Sequence, residues 1–152
     1  MAKRKDRVVV KIKDIMTHAV ACVDPRTSVT EVAQLMQKHD VGAVPVCEGS
    51  KIMGVVTDRD IVVRNIAHGK DPHVTPVRDI MSSHVQSVSP EMSLDQAAGI
   101  MAGHQIRRLP VVENDHLVGM VSLGDLATRA KSDVDLARTL GEISYPSQPE
   151  QI

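Results

Sequence analysis

The residues best suited to chemistry in this chain form the pattern Gly-x-x-Thr/Ser-x-x-Asp, at positions 54–60 and again at 119–125. A glycine in a strand allows another group to approach the backbone closely, and the free amides at a helix start attract anions. Thr57 stands at such a start, and Asp60 lies one turn into the helix. A carboxylate at that position can accept hydrogen bonds from both hydroxyls of a ribose. The pattern therefore predicts a helix start that binds a nucleotide.

The same spacing also fits a purely structural role. Thr57 with Asp60, and Ser122 with Asp125, match the capping box, in which a hydroxyl and a carboxylate satisfy the first amides of a helix. The pattern alone leaves both interpretations open.

Both occurrences belong to an internal duplication with an offset of 65 residues. Residues 14–61 and 79–126 share 16 identities over 48 positions, far more than random matching gives. Because the two units need each other to bury an apolar face, they are expected to pack as a pseudo-symmetric pair within one domain. The predicted boundaries are an N-terminal arm at 1–11, a first repeat at 12–68, a linker at 69–76, a second repeat at 77–130, and a C-terminal helix and tail at 131–152.

Each repeat is predicted to run strand, helix, strand, strand, helix, which is an α/β (α+β) unit. An apolar run ends before Pro25 or Pro90, and Ser28 or Ser93 then caps an amphipathic helix. Two apolar runs joined by a short polar turn predict a hairpin, and a closing helix follows.

The composition excludes several classes of protein. A formal net charge of -1 and an aromatic content of 1% disfavour nucleic-acid binding, which uses basic surfaces and aromatic stacking platforms. No apolar run approaches the roughly 20 residues that span a membrane, and none follows the basic N-terminus as in a signal peptide. We therefore expect a soluble, cytoplasmic protein with no nucleic-acid or membrane partner.

Metal binding and catalysis are not expected. The seven histidines include no pair at metal-binding spacing on one helix, and no motif of a nucleophile, a phosphate-binding loop or a catalytic cysteine is present. Cys22 and Cys47 fall at the ends of two predicted strands. They are either separate buried or edge thiols, or they lie close enough to form a redox-sensitive bond.

The order of elements, the Asp-Ile-Met openings at 14–16 and 79–81, the apolar residue before Pro45 and Pro110, and the repeated Gly-x-x-Thr/Ser-x-x-Asp resemble a tandem pair of cystathionine beta-synthase (CBS) domains. The resemblance covers roughly residues 12–130. It implies two repeats that pack through their sheets, with two clefts for adenosyl ligands.

The resemblance also implies which residues form these clefts. The preferred nucleotide site, favoured because it carries arginines, would contain Thr57, Arg59, Asp60, Ser82, Val85, Ile106, Arg107 and Arg108. The second site would contain Thr17, Ala19, Val41, Gly42, Ala43, Ser122 and Asp125.

The function implied is a stand-alone regulatory module that binds AMP, ADP, ATP or S-adenosylmethionine and requires no cofactor. A homodimer is expected, formed by the partly uncovered apolar residues of the two closing helices, Ile61, Val62, Val63, Leu126 and Ala127. An unknown protein would be the regulated target. The alternative is a ligand-free module for protein interactions whose helix caps only resemble ligand contacts.

Overall fold

The computed structural model describes residues 10–18, 21–129 and 136–144. The chain divides into two compact units, and neither coincides with one sequence repeat. The first unit contains Met1–Thr17, Ser87–Val111 and Gly119–Ile152, and the second contains His18–Gln86 and Val112–Val118. Each unit therefore combines parts of both repeats.

The described elements mix helices with antiparallel strands, as predicted for an α+β protein. The helices are α1 Ile12–Ile15, α2 Val29–His39, α3 Asp58–Asp60, α4 Leu94–His104, α5 Leu123–Arg129 and α6 Leu136–Ser144. The strands are β1 Ala43–Glu48, β2 Lys51–Thr57, β3 Arg108–Glu113 and β4 His116–Ser122. A π-helix, Ile61–Ile66, continues α3, and a single 3-10 turn covers Val77–Asp79.

The amphipathic helices α2 and α4 begin at the predicted caps. The Ser28 hydroxyl accepts a hydrogen bond from the Glu31 amide, and the Ser93 hydroxyl accepts one from the Gln96 amide, both at 3.2 Å. Each helix ends at a residue in the left-handed region, which stops helical hydrogen bonding. Helical spacing predicts an apolar stripe of Val29, Val32, Ala33 and Met36 on α2. This prediction is wrong in one place, because Ala33 is exposed and Leu35 packs against the core instead.

Both predicted hairpins are present. In the first, β1 pairs antiparallel with β2, from Ala43 opposite Thr57 to Glu48 opposite Lys51, with a register shift between Val46 and Cys47. The second turns at two residues with positive φ, which suits the right-handed twist of hairpin strands. Lys51 pairs with His116, and the strand order is β1-β2-β4-β3.

Where the structure describes it, the apolar run before Pro25 or Pro90 forms a single-residue bridge rather than a full strand. Val23 pairs parallel with Val46, and Val88 pairs parallel with Val111. Proline follows two residues later in both repeats, and its missing amide ends the pairing.

The Asp-Ile-Met segment of each repeat is bonded within the unit that holds most of the other repeat. In the first unit, the Ile12 amide donates to the Met92 carbonyl at 3.0 Å, and Lys11 and Lys13 form ion pairs with Glu91. Hydrogen bonds from these two ammonium groups lower the pKa of Glu91. In the second unit, the Val77 amide donates to the Thr27 carbonyl at 2.8 Å.

The closing helices differ from the sequence expectation. Leu126 is fully buried and Ile61 packs against the core of the second unit, so neither forms an external apolar face. The helix after Asp60 widens to a π-helix, and its Asn65 is fully buried, with neither side-chain polar atom hydrogen-bonded to any residue that the structure describes. By residue type, Ser132 and Asp133 are expected to cap the last helix, but both lie outside the described residues. None of the helices in the described ranges combines the length and apolar character of a bilayer span.

Burial of the Cys47 thiol in β1 makes stability depend on pH. Cys47 is 4% exposed, and burial, together with the neighbouring Cys22, raises its pKa from 9.0 to about 11. The unfolded chain therefore loses this proton at a lower pH than the folded chain does. The contribution of the protonated Cys47 thiol to the free energy of unfolding is present below pH 9 and is lost as the pH rises towards 11.

We predict that Cys47→Val removes this part of the pH dependence. Relative to the variant, the free energy of unfolding of the reduced wild type should fall by up to about 2 kcal/mol between pH 8.5 and 11. Urea denaturation of both proteins in a phosphine reductant measures the difference. Parallel curves over this range would contradict the prediction.

Candidate functional site

Thr57 and Asp60 form a reciprocal capping box at the start of α3. The Thr57 amide donates to Asp60 Oδ2 at 2.9 Å, and the Asp60 amide donates to Thr57 Oγ1 at 3.2 Å. Both side chains are half-buried. The structural role suggested by the spacing is thus present, and it determines where both side chains lie.

The cap leaves bonding capacity for a ligand. The Thr57 hydroxyl accepts a bond from Asp60 and still carries a proton to donate. Asp60 uses Oδ2 in the cap, while Oδ1 lies 3.7 Å from Arg64 Nε. Arg64 also donates weakly to the carbonyls of Ile80 and Met81, both at 3.4 Å. Arg64 thereby links Asp60 to the segment that leads into Ser82.

Gly54 allows this segment to lie directly against β2. Val55 and Ser82 exchange two backbone hydrogen bonds of 3.0 Å, as a one-residue antiparallel strand does. A Cβ at Gly54 would lie 2.6 Å from the Ser82 carbonyl oxygen and 2.8 Å from Met81 Sδ. Ser82 is exposed, and its pairing partner Val55 lies two residues before Thr57. Thr57, Asp60, Arg64 and Ser82 therefore belong to one local arrangement.

The first unit contains the equivalent arrangement. The Ser122 amide donates to Asp125 Oδ2 at 2.8 Å, and the Asp125 amide donates to Ser122 Oγ at 3.1 Å. Thr17 pairs with Met120, and a Cβ at Gly119 would lie 2.7 Å from the Thr17 carbonyl oxygen. The two halves therefore repeat the same geometry around different side chains.

The two helix starts differ in the amides that they offer to an anion. At α3 the Asp58 amide donates to the Gly42 carbonyl, and the Arg59 amide donates to the Asp58 carboxylate. The Asp60 amide donates to the Thr57 hydroxyl. The expected free amides at Thr57 are therefore already bonded, and Asp58 adds a carboxylate. At α5 the Leu123 amide donates to the Arg107 carbonyl at 2.7 Å, whereas the Gly124 amide has no hydrogen-bond partner among the described residues.

The remaining predicted site residues divide between the units. Val85 is half-buried in the second unit, which also contains Val41 and Gly42 before β1 and Ala43, the first residue of β1, which pairs with Thr57. Ile106 is half-buried and Arg107 and Arg108 are exposed in the first unit. Ala19 lies outside the described residues. The assignment of these residues to particular clefts stays a prediction.

The three arginines of the predicted site are available to a phosphate group. The side chains of Arg59, Arg107 and Arg108 form no ion pair with any side chain that the structure describes, and all three are exposed. A free guanidinium can bind a phosphate through two parallel hydrogen bonds. Within the described residues, no group of three or more His, Cys, Asp or Glu side chains could hold a metal ion.

Sequence reasoning missed Arg64. The signal was present, because Asp60 and Arg64 are four residues apart on a predicted helix, a spacing at which opposite charges meet. Its contacts with Ile80 and Met81 could not be read from spacing, because they join segments distant in the chain.

The chain belongs to the CBS domain family. The family model, described as CBS domain, matches residues 12–65 and 77–132, which are the two repeats. The predicted tandem CBS pair is therefore confirmed.

Individual relatives support the same conclusion. CBS domain-containing protein YhcV of Bacillus subtilis is 47% identical over 134 residues, which cover 88% of this chain and 95% of that protein. The crystal structure of Hypoxic Response Protein I with two coordinated zinc ions has a TM-score of 0.75 and 35% identity, covering 79% of this chain and 98% of that one. The structure of a hexameric CBS-CP12 protein from bloom-forming cyanobacteria has a TM-score of 0.71 and 29% identity, covering 81% of this chain and 72% of that one.

We predict that Gly54→Ala destabilises the protein by roughly 2–3 kcal/mol, because the new methyl group meets the Ser82 backbone. Gly99→Ala is the matched control. Gly99 lies in α4 with open space around it, so alanine should be neutral or slightly stabilising there. Urea denaturation of both variants measures the difference, and equal stabilities would mean that Ser82 is not held against Gly54.

Proposed function

We propose that this protein is a regulatory module that binds AMP, ADP, ATP or S-adenosylmethionine and signals occupancy to a partner. Tandem CBS domains are in general regulatory ligand-binding modules. The observation that carries the proposal is the half-buried Asp60, which keeps Oδ1 outside the helix cap while Ser82 is held against the adjoining strand.

In the proposed complex, Asp60 accepts hydrogen bonds from the ribose hydroxyls and Thr57 donates its hydroxyl proton to the ligand. Bonds to a charged acceptor are the stronger ones, at about 1.5–3 kcal/mol each. Adenine contacts aliphatic groups and backbone, since the chain contains no Phe or Trp. The affinity is then expected in the micromolar range or weaker, equivalent to about 8 kcal/mol or less.

Phosphate recognition would rest on guanidinium groups at the Thr57 helix start. Its first three amides donate within the protein, so Arg59 is the nearest free donor group in sequence. Arg107 and Arg108 are the further candidates that the sequence comparison of the repeats singled out. The carboxylates of Asp58 and Asp60 repel a phosphate group at this helix start. They therefore favour an adenosyl ligand with little negative charge.

We predict that Asp60→Asn weakens binding of the preferred adenosyl ligand by about 10–100-fold, because it removes the charged acceptor. The amide oxygen of Asn can still accept the cap bond from Thr57, so the fold should remain. Calorimetry with adenosine, AMP, ADP, ATP and S-adenosylmethionine measures the change. Asp125→Asn is the matched control at the equivalent position.

The pattern of losses identifies the site. A loss with Asp60→Asn alone supports the Thr57 site, and a loss with Asp125→Asn alone moves binding to the Ser122 site. Arg59→Ala and the pair Arg107→Ala with Arg108→Ala should weaken ATP more than adenosine if these side chains contact phosphate. No heat and no rise in melting temperature with any ligand would overturn the proposal.

The alternative function is a ligand-free interaction module. Both capping boxes are complete within the protein, so the helix caps alone account for these four side chains, and this observation favours the alternative. It predicts that Asp60→Ala changes only the melting temperature, whereas the nucleotide proposal predicts a loss of ligand binding at temperatures where the variant is folded.

We also propose a homodimer, formed through the exposed face of the π-helix. Val62, Val63 and Ile66 are 59%, 43% and 55% exposed there, and large exposed apolar groups that adjoin each other mark interaction surfaces. The other closing helix is a weaker candidate, because its Leu126 is buried.

We expect light scattering to give the mass of two chains for the wild type and of one chain for Val62→Glu with Ile66→Glu. Burying a carboxylate without a partner costs far more than the apolar contact contributes. Val74→Glu is the control, because Val74 is 76% exposed and lies outside this helix. A wild-type monomer, or a double variant that stays dimeric, would reject this interface.

A further inference from the structure

Cys22 and Cys47 lie on neighbouring backbone segments of the second unit. Val23, next to Cys22, pairs parallel with Val46, next to Cys47. The Cys47 amide donates to the Val23 carbonyl at 2.8 Å, and the Val23 amide donates to the Pro45 carbonyl at 3.1 Å. The register shift of β1 falls between Val46 and Cys47. Cys22 also contributes to the raised pKa of Cys47, as expected for neighbouring thiols.

The two thiols differ in their access to solvent. Cys22 is exposed, whereas Cys47, in β1, is buried. Cys22 also lines an open surface groove of about 460 Å³ along α2, whose charged residues are Asp24, Glu31 and Lys38. A small reagent can therefore reach Cys22 directly, whereas burial shields Cys47.

We propose that Cys22 and Cys47 form a thiol–disulfide exchange site that takes low-molecular-weight disulfides from the groove. The Cys22 thiolate attacks one sulfur of the small disulfide, forms a mixed disulfide and releases the first small thiolate. The Cys47 sulfur, after losing its proton to solvent, attacks the Cys22 sulfur, forms the Cys22–Cys47 bond and releases the second small thiolate. The protein loses two electrons and two protons, and the small disulfide is reduced to two thiols.

The second step is slow at neutral pH. Burial raises the pKa of Cys47 to about 11, so only a small fraction of this thiol is ionised and reactive. The charged groups near the pair are Asp24, Glu31 and Lys38 of the groove and Glu48, which follows Cys47. Ring closure should therefore accelerate about tenfold per pH unit between pH 7 and 9.

The site exists in only one half of the duplication. The equivalent positions of the second repeat are Ser87 and Val112, although Val88 and Val111 make the same bridge there. Cys22→Ser and Cys47→Val are therefore suitable variants, because each introduces the residue type that the second repeat has at the equivalent position.

The test is to treat the reduced full-length protein with oxidised glutathione and to follow intact mass and free thiols. We expect the wild type to pass through a mixed glutathione adduct, then to lose the adduct, both free thiols and two hydrogen atoms. Cys47→Val should stop at a stable adduct on Cys22. Cys22→Ser should keep a Cys47 thiol that reacts only after denaturation.

The bond should also be visible in stability. It closes a loop of about 25 residues, so oxidation should raise the thermal midpoint by roughly 5–10 °C, and a reductant should reverse this shift. Three results would overturn the proposal. These are a wild-type adduct that persists at pH 9, two thiols that remain free, or covalent dimers in place of the internal bond.

Discussion

The structure depends on the close approach of one backbone segment to another across a strand glycine. At Gly54 and again at Gly119, any side chain would meet a carbonyl oxygen at under 3 Å. The bare backbone lets the short segment after each Asp-Ile-Met sequence pair with β2 or β4. Because each segment comes from the other repeat, neither sequence repeat forms a complete compact unit alone.

This constraint also builds the candidate site. The strand that carries the glycine leads after three residues into the capped helix start, so the added segment and the hydroxyl–carboxylate pair come together. The two helix starts share this geometry and differ in their charged groups. Asp58 and Arg59 add opposite charges to the first, and the Asp58 carboxylate accepts a hydrogen bond from the Arg59 amide, whereas Leu123 and Gly124 add no charged side chain to the second. The two repeats share the same backbone arrangement around these helix starts, and their different side chains make the two sites chemically unequal.

Local features were predictable because their causes are local. The duplication, the Ser28 and Ser93 caps, the hairpins and both capping boxes follow from residue type and short spacing. The exchange of opening segments, the burial of Leu126 and the contacts of Arg64 with Ile80 and Met81 depend on residues far apart in the chain. The widening of the helix at Ile61–Ile66 also lacked a sequence signal, since its residues are compatible with an ordinary helix. Assignment of the site residues to one ligand depends on chemistry that spacing alone does not specify.

The exchanged segments have a consequence for synthesis on the ribosome. Lys11 pairs with Ser93, and Thr17 pairs with Met120, so the amino-terminal segment has no native partner until most of the chain has been made. The segment at Val77–Ser82 meets residues that were synthesised before it, and can dock as it emerges. The unit that begins first in sequence is therefore completed last, and its contacts span the longest stretches of chain, which slows folding.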